Sequence, residues 1–193
     1  MSSLPKQYLE AVEPLVVQAR LMIEAGEELA PFAFVGRFVE RQIVPVLLDT
    51  RSNSAKDASV TAVRRVATEL QADFVFTLTE SWGLGPKHVR DYQRILAQYG
   101  SIAASPYRIE LVSFMLETRY GLWGAQARIK SQSKRAKAKR SFGAIQWQRF
   151  DGAEGRFVGL LPEAGEPTAL QRAFIPSTRS RPHVDPDPKD HLS

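Results

Sequence analysis

The chain has 193 residues with 26 Lys and Arg against 21 Asp and Glu, a formal net charge of +5, and no cysteine. The absence of cysteine excludes disulfides, thiolate metal sites and cysteine nucleophiles. No apolar run approaches the ~18 residues of a membrane span, and the N-terminus lacks the basic-then-apolar layout of a signal peptide. We therefore expect a cytoplasmic protein without a membrane partner.

The first half of the chain predicts two helices that flank two short strands. Apolar residues spaced near 3.6 positions apart predict an amphipathic helix over residues 4–25, which Pro14 should kink or divide. The runs 32–38 and 43–48 are rich in aromatic and β-branched residues and predict strands. A capping sequence at residues 54–57 then begins the second helix.

The second half predicts further strands and one short helix. Aromatic and β-branched residues make the run 73–80 a strand, and the nearly continuous apolar run 109–116 predicts a strand buried on both faces. A short helix that begins at Pro86 separates these two strands. Residues 142–150 and 156–161 are predicted to form the two strands of a hairpin.

This order of elements predicts an α+β fold: a two-layer, mostly antiparallel sheet of five or six strands with helices packed on it. The order is similar to that of small modules of the profilin and roadblock type, a resemblance that carries no functional residue across. We expect one domain over residues 1–162. Six of the twelve prolines fall from Pro162 onward, so residues 163–193 are predicted to be a disordered tail.

The most unusual feature is a basic segment, residues 128–140, in which seven of thirteen residues are cationic and none is acidic. Without those seven, 19 Lys and Arg face 21 acids, so the positive charge is local. A concentrated basic patch on a near-neutral body indicates a polyanionic partner. The residues expected to contact phosphates are Arg128, Lys130, Lys134, Arg135, Lys137, Lys139 and Arg140, and Trp123 is the expected stacking partner for a base.

These observations favour a non-catalytic accessory protein that binds DNA or RNA with little sequence preference. The alternative is a protein–protein adaptor or a self-associating protein, because the first helix carries an apolar stripe. A third hypothesis is a metal-dependent hydrolase that uses Asp73, Glu80 and Glu110, although Glu110 is also placed to pair with Arg108. Nucleotide-binding and nucleophile-elbow motifs are absent, so we expect no cofactor and a binding protein rather than an enzyme.

Overall fold

An antiparallel sheet organises the computed structural model, which describes residues 4–131, 140–151 and 155–162. Its elements are α1 (Lys6–Ala25), β1 (Phe32–Arg37), β2 (Gln42–Leu47), α2 (Asn53–Glu69), β3 (Phe74–Leu84), a 3₁₀ turn (Val89–Asp91), α3 (Tyr92–Tyr99), β4 (Arg108–Thr118), β5 (Gly121–Ser131), β6 (Arg140–Phe142) and β7 (Gln148–Phe150). The strand order is β2-β1-β3-β4-β5-β6, and β7 also pairs with β5. The predicted α+β class with an antiparallel sheet is confirmed. The predicted tail, residues 163–193, lies outside the described residues.

Helix α1 packs on one face of the sheet, here called the α1 face. The buried side of the helix consists of Tyr8, Val12, Val16, Ala19 and Ile23. These residues share a core with apolar side chains of β3, β4 and β5, among them Phe76, Phe114 and Ile129. The helix continues unbroken through Pro14, and Gly26 ends it with a φ of 84°, a conformation that favours glycine.

Helix α2 packs on the opposite face, here called the α2 face. The cluster that joins it to the sheet contains Ala33, Val35, Val60, Val63, Ala67 and Val75. No described residue of β4 or β5 belongs to this cluster, so the helix covers one part of the face. The N-cap of the helix lies two residues before the predicted capping serine, Ser54: the hydroxyl of Ser52 accepts a hydrogen bond from the N–H of Ala55 at 3.1 Å.

The register of β3, β4 and β5 decides which side chains reach each face. Directly opposed residues of an antiparallel pair lie on the same face. Phe76, Leu116 and Trp123 are opposed in turn and lie on the α1 face, whereas Met115 and Gly124 lie on the α2 face. Odd-numbered residues of β5 therefore face α1, and even-numbered residues lie on the α2 face.

Three predictions for the second half of the chain differ from the structure. The sequence predicts no strand over residues 121–127 and leaves residues 128–140 open between a loop and an extended hairpin, yet β5 pairs with β4 through eight residue pairs. The predicted strand 142–150 is divided into β6 and β7, since the residues between them leave the ladder. Residues 156–161 form turns and bends, and Leu160 donates its N–H to the carboxylate of Glu117 at 3.0 Å instead of to a strand.

We expect Gly36→Ala to destabilise the fold, because Gly36 lies opposite Phe74 and an added Cβ would clash with that buried ring. Overpacking of this kind costs about 1–3 kcal/mol in the free energy of unfolding. Urea denaturation followed by circular dichroism measures the change. The control is Gly143→Ala, where the added Cβ meets open space and the change should stay within about 0.5 kcal/mol. Equal losses in both variants would contradict the expectation.

Candidate functional site

The alternation of β5 and β6 places the predicted phosphate-binding residues on different faces of the sheet. Arg128 and Lys130 lie on the α2 face, and both are exposed. Neither forms an ion pair with an acid among the described residues. The other cations of the connection between these strands, Lys134, Arg135, Lys137 and Lys139, lie outside the described residues.

Arg140 lies on the α1 face in an ion-pair network with two carboxylates. Its Nη2 is 3.3 Å from Oε2 of Glu80 on β3 and 3.1 Å from Oε2 of Glu110 on β4. Burial lowers the pKa of Arg140, but the charges of Glu110 and Glu80 outweigh this effect and raise that pKa above its ordinary value. The guanidinium therefore stays charged and is paired with two acids of the fold, whereas the sequence-based prediction placed it against phosphates.

Further contacts join β6 to α1. Nε of Arg20 donates to the carbonyl oxygen of Phe142 at 3.1 Å, and Nη2 donates to that of Gly143 at 3.3 Å. The same guanidinium lies 4.8 Å from the centroid of the Phe142 ring. The hydroxyl of Ser141 donates to the carboxylate of Glu24. These contacts attach β6 to α1.

The two residues that flank residues 132–139 are held opposite each other by the sheet. Ser131 at the end of β5 pairs with Arg140 at the start of β6. The Arg140 network and the α1 contacts fix one of these residues, and the long β4–β5 ladder supports the other strand. The sheet therefore holds the residues on both sides of residues 132–139.

Trp123 is 2% exposed on the α1 face, and Arg149 lies 5.7 Å from the centroid of its ring. A ring buried to this extent cannot stack on a base. The structure therefore removes Trp123 from the predicted interface, for the physical reason that an odd position of β5 faces the core.

The three carboxylates of the hydrolase hypothesis do not form one site. Glu80 and Glu110 share Arg140, whereas Asp73 precedes β3 and accepts a hydrogen bond from the N–H of Phe38 at 2.7 Å. In the part of the chain that the structure describes, no group of three His, Cys, Asp or Glu residues could hold a metal ion. Arg108, the expected partner of Glu110, instead lies over the Trp82 ring.

A cavity of about 670 Å³ opens on the α2 face, beside the part of β4 and β5 that no helix of the described residues covers. Its lining includes Ser113, Met115, Gln126, Gln146, Gln148 and Phe150. The space exists because β6 and β7 pair with the two ends of β5, and the chain between β6 and β7 leaves the sheet. Gln126 and Arg128 are two positions apart on one face of β5, so the cavity lies beside the exposed cations.

The exposed aromatic residue at this cavity is Phe150, which sequence reasoning did not single out. Phe150 is 45% exposed. Its ring lies against Gly124, so close that a Cβ at Gly124 would meet Cε2 of Phe150 at 2.5 Å. Only glycine admits the ring at this point of β5. Phe150 pairs with Leu122, and its ring reaches diagonally across to Gly124, which pairs with Gln148. This contact can be recognised only once the β5–β7 register is known.

Comparison of the chain with models of protein families, with curated proteins and with solved structures finds no match. The likeness to profilin and roadblock modules therefore rests on the order of elements alone. Within the described ranges, no helix combines the length and the apolar character needed to cross a membrane. The function must be inferred from the geometry of the site itself.

We expect Arg140→Gln to destabilise the protein by about 1–2 kcal/mol, because two partly buried carboxylates on neighbouring strands lose their shared cation. Urea denaturation gives the change in the free energy of unfolding. The control is Arg65→Gln, which breaks a solvent-exposed pair with Glu69 and should cost no more than about 0.5 kcal/mol. If the two variants were equally stable, the Arg140 network would be an ordinary surface pair.

Proposed function

We propose that the protein binds nucleic acid through a basic surface made of Arg128, Lys130 and the four cations between residues 132 and 139. The observation that supports this most directly is the position of Arg128 and Lys130. Both are exposed and without an acidic partner among the described residues, on the part of the sheet that no helix covers. The proposed protein is an accessory binding protein rather than an enzyme.

The distribution of charge supports a phosphate-rich partner. Arg140 is neutralised by its own acids, so six of the seven cations of the basic segment remain for a partner. Without those six, 20 Lys and Arg face 21 acids in the rest of the chain. The excess positive charge is therefore confined to one place, and binding there would release condensed counterions from a phosphate backbone.

The attachment of the basic segment to the sheet also supports binding. Ser131 and Arg140 are held opposite each other, which limits the separation of the two ends of the connection. A connection with fixed ends loses less conformational entropy when its side chains settle on a partner than a free tail would. The fold thus lowers the cost of bringing several cations to neighbouring phosphates.

A second candidate is self-association as part of an adaptor role. Leu9, Val17 and Leu21 are exposed along one side of α1. A cavity of about 350 Å³ lies between this helix and the residues Ile145 and Trp147. Light scattering of the purified chain tests this candidate, since a strict monomer would contradict it.

For the six-cation surface we expect steep salt dependence of binding. For a single strand the slope of log Kd against log salt should be about 4, from about 0.7 per neutralised phosphate and six cations. Fluorescence anisotropy of labelled, mixed-sequence DNA and RNA across a salt series measures it. Replacement of all six cations by Ala should abolish measurable binding at physiological salt.

Two double variants separate the effect of this surface from the effect of the protein's total charge. Arg128→Ala with Lys130→Ala should weaken binding by about tenfold or more. Lys6→Ala with Arg65→Ala removes the same charge from two exposed helix positions and should change affinity by less than about twofold. Unaltered binding by the six-cation variant would contradict the proposed function.

A further inference from the structure

We propose that the cavity on the α2 face binds one unstacked base of a single-stranded nucleic acid whose phosphates lie on Arg128 and Lys130. This inference rests on the proposed function and specifies its partner. It follows from the chemistry of the lining, from the position of the cavity beside the exposed cations and from the exposed ring of Phe150.

The lining of the cavity suits a neutral, planar and hydrogen-bonding group. The described residues that line it include no charged side chain, so these residues are unsuited to a phosphate. The amides of Gln126, Gln146 and Gln148 each offer donors and an acceptor, which match the edges of a base. Phe150 and Met115 supply the aromatic and apolar surface on which a base would stack.

One of these amides is already oriented by the fold. Nε2 of Gln126 lies 3.2 Å from the Ser113 hydroxyl, which is itself 3.2 Å from the hydroxyl of Ser81. This chain of contacts crosses β5, β4 and β3 and leaves the amide oxygen of Gln126 as an acceptor. Gln146 and Gln148 are exposed and line the same cavity.

Strand geometry sets the distance between the cavity and the cations. Gln126, Arg128 and Lys130 alternate along one face of β5, and successive members of such a row are about 6.7 Å apart. This spacing is comparable with that of successive phosphates in an extended single strand. A strand laid along β5 could therefore place a base in the cavity and its following phosphates on the two cations.

The acid closest to the cavity along β4 does not oppose this arrangement. Glu117 lies two positions from Met115 on the same face. Its carboxylate accepts the N–H groups of Leu160 and Leu161 at 3.0 Å each. These two donors stabilise its negative charge and direct it toward the chain after β7 rather than toward the cations.

A single strand fits this site better than a duplex. In a duplex the base edges are paired and the faces are stacked, so a base must be extruded before it can enter a cavity. An acidic peptide could contact the cations, but its charged carboxylates are unsuited to a cavity whose described lining contains no cation. The geometry thus favours a single strand over both of these partners.

The experiment compares four labelled probes by fluorescence anisotropy with the full chain: single-stranded DNA, single-stranded RNA, a duplex of the same sequence, and polyglutamate. We expect both single strands to bind at least tenfold more tightly than the duplex or polyglutamate. Phe150→Ala should weaken single-strand binding by about tenfold and leave duplex binding unchanged. Tyr92→Ala is the control, since Tyr92 has a similar exposure, 43% against 45% for Phe150, and lies on α3.

Two further variants keep the proposal testable if Phe150→Ala does not fold. Gln126→Ala and Gln148→Ala change exposed side chains, and each should weaken single-strand binding several-fold with duplex binding unaffected. Equal affinity for single strand and duplex, or single-strand binding unaltered in all three variants, would overturn the role of the cavity and leave the proposed function intact. Absence of binding to every nucleic acid, or tightest binding to polyglutamate, would overturn both.

Discussion

The guanidinium of Arg140 between Glu80 and Glu110 is the interaction on which the arrangement of the basic segment depends. Two carboxylates on neighbouring strands would repel each other without a cation, and Arg140 supplies it from the first residue of β6. Because Ser131 pairs with Arg140, the same contact fixes where the basic segment returns to the sheet. One of the seven cations of the basic segment therefore stabilises the fold. Arg128 and Lys130 lie on the other face of the sheet, and the remaining four cations fall between Ser131 and Arg140 in the sequence.

The period of two along a strand places buried and exposed side chains next to each other in the sequence of β5. Trp123 and Ile129 occupy odd positions of β5 and are buried, whereas Arg128 and Lys130 occupy even positions and are exposed. Among the described residues no side chain of β4 or β5 belongs to the α2 cluster, so the even positions of β5 lie beside the part of the face that α2 does not cover. Phe150 adds an aromatic surface from β7 to the same side.

The sequence predicted those parts of the structure that local composition determines. The strands near residues 32–38, 73–80 and 109–116 and the α+β class agree with the structure, because aromatic and β-branched runs have few alternatives. Strand β5 was not predicted because it has glycines near its start and cations near its end, and neither residue type favours a strand. Pairing with β4 outweighs these local preferences. The partner of Glu110 was missed because Arg140 is 30 residues away in sequence, whereas Arg108 is two. The charge of the basic segment was enough to propose Arg128 and Lys130 as phosphate contacts. Only the register shows that they lie on the same face of the sheet as Phe150.

The fixed ends of residues 132–139 have a consequence for how this surface can vary. The cost of closing a connection grows only slowly with its length, by about 0.6 kcal/mol for each doubling. The chain between Ser131 and Arg140 could therefore gain or lose residues or charges. Such changes would alter the length of the connection and its number of charges, while the sheet kept its stability. Under the proposed function, affinity for a polyanion would then change independently of the hydrophobic core.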